Sequence, residues 1–103
     1  MILEAAYLRV TPGLETQFER AFDQASPLIA ATPGYIAHQL QRCLEESGCY
    51  LLLVQWQTLQ AHTEGFRGSD RYVQWKALLH HFYDPFPTVQ HFEQVYASHT
   101  VQA

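Results

Sequence analysis

The chain has 103 residues, with six Lys and Arg against ten Asp and Glu and a formal net charge of -4. That length suits one domain, 1–103, and not two, and a composition 48% hydrophobic and 16% charged folds rather than stays disordered. Mild acidity argues against nucleic acid or an anionic membrane as partner, because both call for a basic face.

No apolar run approaches the ~20 residues of a membrane span. Met1-Ile2-Leu3-Glu4 has no basic region ahead of a long apolar one, so no secretory signal is expected and a cytoplasmic location is the default. The first predicted element is a strand over residues 2–10. Thr11-Pro12-Gly13 is expected to open a helix, with Thr as the cap and Pro in the first turn. Leu14, Phe18, Ala21, Phe22, Ala25, Leu28 and Ile29 follow a helical stripe along it. Pro27 lacks the donor that the ladder needs and is expected to kink or interrupt the helix. Thr32-Pro33-Gly34 ends it.

Residues 35–44 and 49–56 read as two strands around the turn Glu45-Glu46-Ser47-Gly48. A short helix follows, with Leu59, His62 and Phe66 on one face at i, i+3, i+7 spacing. Gly68 breaks it. Ser69 can cap a further helix running to about residue 83, with Asp70 favourable at its positive end. Asp84-Pro85-Phe86-Pro87 is a rigid connector, and residues 89–96 form the last strand.

The order β-α-β-β-α-β, with the second helical segment split, is that of an α+β ferredoxin-like fold. Right-handed crossovers then give a four-stranded antiparallel sheet in the order 4-1-3-2, with both helical segments on one face. A sheet with one wet side alternates apolar and polar residues. The third strand does not: Cys49, Leu51 and Leu53 point one way and Tyr50, Leu52, Val54 and Trp56 the other. In the first strand Ile2, Ala6 and Leu8 oppose Leu3, Ala5 and Tyr7. Both faces therefore call for burial, and one chain has helices for only one, so a homodimer with two sheets packed face to face is expected.

Cys43 and Cys49 flank the hairpin turn and could lie diagonally across the ladder. Without CxxC spacing they give no metal or redox signature, and free thiols are expected in a reducing compartment. No HExxH or H-x-x-x-H pattern exists, so no metal is expected. His80 and His81 are helix neighbours that point in different directions. His62 is different: a titratable imidazole among apolar groups can carry proton chemistry near neutral pH. It can equally be a packed histidine whose ring nitrogens bond backbone or water.

Thr11-Pro12-Gly13, Thr32-Pro33-Gly34-Tyr35, the strand ending Leu53-Val54-Gln55-Trp56, and His62 with Phe66 and Ser69 behind it together resemble the antibiotic biosynthesis monooxygenase family. Trp75-Lys76-Ala77-Leu78-Leu79 and Val89-Gln90-His91-Phe92 extend the resemblance to about residue 96. It implies a dimeric α+β barrel and a substrate pocket inside each subunit, between sheet and helices. It also implies oxidation of a small hydroxylated aromatic or quinol with O2 and no cofactor. Related members cleave haem with an Asn, a Trp and a His. Here Ala6 and Tyr7 stand where that Asn would fall, Gln74 or Trp75 where that His would, and the chain has no Asn at all.

Cofactor-free oxygenation needs an apolar pocket for the ring and a base that favours the phenolate. His62 is the candidate catalytic residue. Trp56, Phe66, Tyr72 and Trp75 are candidates to grip the ring, though such a stripe also serves as plain core. Arg67 can hold a substrate carboxylate or phenolate, or be a solvated loop charge or a bridge to Asp70. Two other classes fit the same residues. One is a non-catalytic protein that binds a small molecule or haem, the other a non-oxidative isomerase or lyase.

Overall fold

Strand β1 (Ile2–Arg9) sits inside a four-stranded antiparallel sheet, bonded to β3 (Cys49–Trp56) on one side and β4 (Thr88–Glu93) on the other. β2 (Tyr35–Arg42) completes the order β2-β3-β1-β4, the one that the crossover rule demands. The computed structural model describes residues 1–99. Helix α1 (Glu15–Ala30) and helix α2 (Asp70–Leu79) cover one face of the sheet, and a single 3-10 turn, His80–Phe82, continues from α2.

Side-chain alternation builds the layer between them. Along β3, Tyr50, Leu52, Val54 and Trp56 are buried on the helix side, and Ala6 and Leu8 of β1 lie in phase with them. Phe18, Phe22, Ala25 and Ile29 descend from α1, and Trp75 and Leu79 from α2. Phe18 has no exposed surface and meets Tyr50 at 5.0 Å between ring centroids. On the opposite face Leu3, Leu51 and Leu53 are half-buried, while Tyr7 and Phe92 are exposed.

Several boundaries differ from the expectation. Thr11-Pro12-Gly13 does not cap α1. Gly13 has φ 90 and the Leu14 N–H bonds the Thr11 carbonyl at 3.0 Å, a turn with Pro second and a left-handed Gly third. The helix therefore begins after Leu14. Thr32-Pro33-Gly34-Tyr35 repeats the device, with Gly34 at φ 89 and Tyr35 N–H to Thr32 carbonyl at 3.0 Å. Helix α1 runs on through Pro27 to Ala30, so the proline does not interrupt it. β2 stops at Arg42 and β4 at Glu93, each shorter than expected. Ser69 does cap α2, its side chain accepting from the Tyr72 N–H. Cys43 and Cys49 stand directly opposite rather than diagonally, one step beyond the pair Arg42 and Tyr50, with Cys43 N–H bonded to the Cys49 carbonyl at 2.9 Å.

Candidate active site

The segment after β3 positions the imidazole. Gln57 N–H bonds the Gly34 carbonyl at 2.8 Å, tying the strand end to the second Thr-Pro-Gly turn. The Thr58 hydroxyl accepts from the Ala61 N–H and starts a π-helical turn, Ala61–Phe66, in which Arg67 N–H reaches back five residues to the His62 carbonyl at 3.1 Å. In this wider coil His62 and Phe66 are buried together, and Leu59 drifts off their face to 38% exposure. Ala61 lies so close to Gly34 that a Cβ there would stand 2.6 Å from the Ala61 Cβ.

His62 meets a carboxylate outside the residues that the sequence singles out. Glu4 of β1 lies in phase with Ala6 and Leu8, and its side chain is buried on the helix side. Its Oε1 accepts from the Trp56 indole Nε1–H at 3.0 Å and lies 3.4 Å from His62 Nε2. The second ring nitrogen, Nδ1, is 2.8 Å from Nε2 of His91, whose residue faces Glu4 across the β1–β4 ladder. Trp56 lies flat against the imidazole. A charged residue in phase with core alanine and leucine was the available signal for Glu4; His91 had none beyond its place on the strand.

Burial dominates the electrostatics. It raises the Glu4 carboxyl above its ordinary range, with the Trp56 hydrogen bond and the Arg67 charge pulling the other way. It pushes His62 down to about 3, helped by the positive charge of Arg67 and by His91. His91 is lowered for the same first reason and by Arg67. His62 is therefore neutral near pH 7 and contributes one donor and one acceptor.

A cavity of about 50 Å³ opens beside this cluster, between β1 and the two helices. Glu4, His62, Phe66, Arg67, Tyr72 and Trp75 line it, together with His80, Tyr83, Phe86 and Pro87 nearer the connector before β4. Of the residues singled out in the sequence, Trp56 alone is absent from the lining. It is fully buried behind His62 and acts on the site through its indole N–H and its ring face. Arg67 is exposed and makes no ion pair with Asp70 or any other acid among the described residues. The volume holds a few waters and not an aromatic ring, so ring entry requires side chains to move. Phe86, two-thirds exposed and 5.0 Å from the His80 ring, is the least confined of the apolar side chains in the lining. Among the described residues no three His, Cys, Asp or Glu converge as a metal site.

A split ferredoxin-like unit with an acid–imidazole cluster at the end of a helix–sheet cavity defines a class of small α+β domain, and the sequence comparisons place it. Residues 1–78 match the antibiotic biosynthesis monooxygenase family, and the chain belongs to that family. An uncharacterised Bacillus subtilis (strain 168) protein, YczJ, is 60% identical over 95 residues, which is 92% of this chain and all of YczJ. A candidate antibiotic biosynthesis monooxygenase from Bordetella bronchiseptica is 34% identical and superposes with a TM-score of 0.89, over 92% of this chain and 97% of that one. SnoaB, a cofactor-independent oxygenase from Streptomyces nogalater, shares the fold at a TM-score of 0.81 but only 17% of its residues, over 93% of this chain and 94% of its own.

Proposed function

We propose that the chain is a homodimeric, cofactor-independent monooxygenase that oxidises a small hydroxylated aromatic or quinol with O2. The observation that carries this reading is the placement of a buried acid–imidazole pair at the end of a cavity walled mainly by aromatic and aliphatic side chains. Such a cavity desolvates a phenol, and the polar end takes its proton. The phenolate then supplies electrons to O2, a peroxide forms at a ring carbon that bears hydrogen, and loss of water leaves a quinone carbonyl. Phe66, Tyr72 and Trp75 grip the ring, Trp56 backs the imidazole of His62, and Arg67 at the rim attracts the anion. The fold shared with SnoaB supports the absence of a cofactor in this scheme. The apolar side chains on the uncovered sheet face, Leu3, Leu51, Leu53, Tyr7 and Phe92, support the dimer.

The test is O2 uptake with a panel of hydroquinones and dihydroxynaphthalenes, each product analysed by mass spectrometry. Uptake with one added oxygen, lost in His62→Ala, is the expected result; a His62→Ala protein as active as wild type on its best substrate counts against it.

The aromatic lining also suits a second reading, a protein that opens to sequester an apolar ligand without changing it. A ligand bound tightly and recovered intact under O2 would select that reading.

A further inference from the structure

The position of His62 leaves its ring few options. One nitrogen faces Glu4 Oε1 at 3.4 Å, the other faces His91 Nε2 at 2.8 Å, and one face of the ring lies on Trp56. Each ring nitrogen therefore already faces a protein neighbour rather than open cavity. Glu4 is different. Both of its contacts, the indole N–H and His62 Nε2, fall on Oε1, and the residue lines the cavity. Oε2 takes part in neither.

We propose that Glu4, and not His62, is the base that takes the substrate's hydroxyl proton, and that His91 is a positioning residue that fixes the tautomer of His62. This rests on the monooxygenase reading above. Trp56 Nε1 can only donate, so Oε1 is an acceptor. With Glu4 ionised, His62 turns its Nε2–H to that oxygen, Nδ1 becomes the acceptor, and His91 donates from Nε2. Two N–H groups, from Trp56 and His62, thus point toward one carboxylate oxygen, and the His91 N–H backs them through His62, which holds the carboxylate ready. Burial favours the protonated carboxyl, so gaining a proton relieves a cost that the resting anion carries.

The step balances. The substrate O–H bond breaks, the proton goes to Oε2, and the electron pair stays on the substrate oxygen. After O2 adds to the ring carbon, the Glu4 carboxyl returns that proton to the peroxide. The C–H proton and the distal hydroxide then leave as water, which forms the carbonyl. The other titratable or charged groups at the cavity are Arg67, His80, Tyr72 and Tyr83; none touches Glu4 Oε1 within hydrogen-bond distance.

Two measurements on the full chain decide the matter. In O2 uptake with the same hydroquinone panel, Glu4→Gln is expected to lose about 100-fold or more in kcat, the usual worth of a general base, with an unchanged circular dichroism spectrum. Nitrogen-15 NMR of the imidazoles is expected to show His62 protonated at Nε2 in wild type, and His91→Gln is expected to scramble that preference and shift the pH profile of kcat. A Glu4→Gln enzyme within about threefold of wild type overturns the assignment of Glu4 alone, and a His62 protonated on Nδ1 overturns the role of His91. A wild type inert toward every hydroquinone overturns the monooxygenase reading and the base with it.

Discussion

The indole of Trp56 and the imidazole of His62 stack with centroids 5.4 Å apart and planes 20° from parallel, and both reach the same oxygen of Glu4. The tryptophan thus restrains the histidine twice, by its face and by the carboxylate that they share. Neither restraint requires Trp56 to touch a ligand.

Trp56→Phe separates these two actions. The face stays and the donor goes, so Glu4 loses the N–H that lowers its pKa. We expect a cost of about 1.5–3 kcal/mol, the range for a hydrogen bond to a charged group, and a further rise of the Glu4 pKa. Chemical denaturation and carbon-13 NMR of the Glu4 carboxyl check the two effects. A variant as stable as wild type with an unmoved carboxyl titration would show that the indole N–H is dispensable.

Acidification should destabilise the fold. His62 has a pKa lowered to about 3, and His38, His80 and His91 are lowered as well, all chiefly by burial. Their unfolded value is near 6.5. Between those limits the unfolded chain binds more protons than the folded one, so stability falls as pH drops below 6.5. His62 alone accounts for roughly 2 kcal/mol by about pH 5. Glu4 works the other way, since its raised pKa makes the folded state bind a proton more tightly above 4.5, and it offsets part of the loss. Melting temperatures across this range should decline toward acid in wild type and less steeply in His62→Gln. Flat wild-type stability would contradict the buried neutral imidazole.

The sheet order, the split second helix and the cap at Ser69 were all legible, because alternation, turn residues and crossover handedness act locally or by simple topology. Thr11-Pro12-Gly13 reads as a helix start because Thr-Pro also opens helices; the left-handed Gly13 makes it a turn, and φ is not written in the sequence, whereas Thr32-Pro33-Gly34 does close the first helix. The π-helical turn had no periodic signature either, so Leu59 was grouped wrongly with His62 and Phe66. Trp56 was read as a pocket wall, whereas its partner is a residue 52 positions away. Glu4 could have been found: a carboxylate in phase with Ala6 and Leu8 is a buried charge that needs a partner. Naming that partner required the register between β1 and β3, which sets Trp56 two residues along β3 from Val54, the residue across from Glu4.

Gly34 should be intolerant of any side chain. Its φ of 89 disfavours an L-residue, and its added Cβ would stand 2.6 Å from the Ala61 Cβ. Left-handed strain alone costs about 1–3 kcal/mol. Because Ala61 begins the turn that carries His62, Gly34→Ala should lower the melting temperature and also move the His62 ring, read as altered imidazole shifts by NMR. Gly13→Ala, with nothing within 4 Å of its added Cβ, is the control that carries strain without the collision. Equal effects of the two variants would remove the role given to the Ala61 contact.

The dimer is testable by a single charge. Leu53 lies half-buried at the middle of the uncovered sheet face, opposite Ala5 of β1. Leu53→Glu leaves the helix-side core untouched and sets a carboxylate where two sheets would meet, where an unpaired buried charge is strongly disfavoured. Sedimentation velocity should show a dimer for wild type and a folded monomer for the variant. A wild type that sediments as a monomer at micromolar concentration ends the proposal of face-to-face sheets.

Cys49 should be a sluggish thiol, and Glu46 is the reason. The Cys49 Sγ lies 3.1 Å from the Glu46 carboxylate, and that hydrogen bond, with smaller help from burial, raises the thiol pKa. The thiolate is the reactive form, so a raised pKa slows every reaction at sulfur near pH 7. Glu46→Gln removes the charge and also frees Arg9, which now pairs with Glu46 at 3.6 Å and itself favours the thiolate. Alkylation of Cys49 by iodoacetamide should therefore run faster in the variant, followed by peptide mass spectrometry with Cys43 as the internal reference. The same variant should form a Cys43–Cys49 bridge more readily with a small-molecule disulfide, because more of Cys49 is thiolate, and a hydrogen-bonded cross-strand pair lies about 5.5 Å apart at Cα, inside the range for such a bond. Equal alkylation rates in the two proteins would mean that the carboxylate does not govern the thiol.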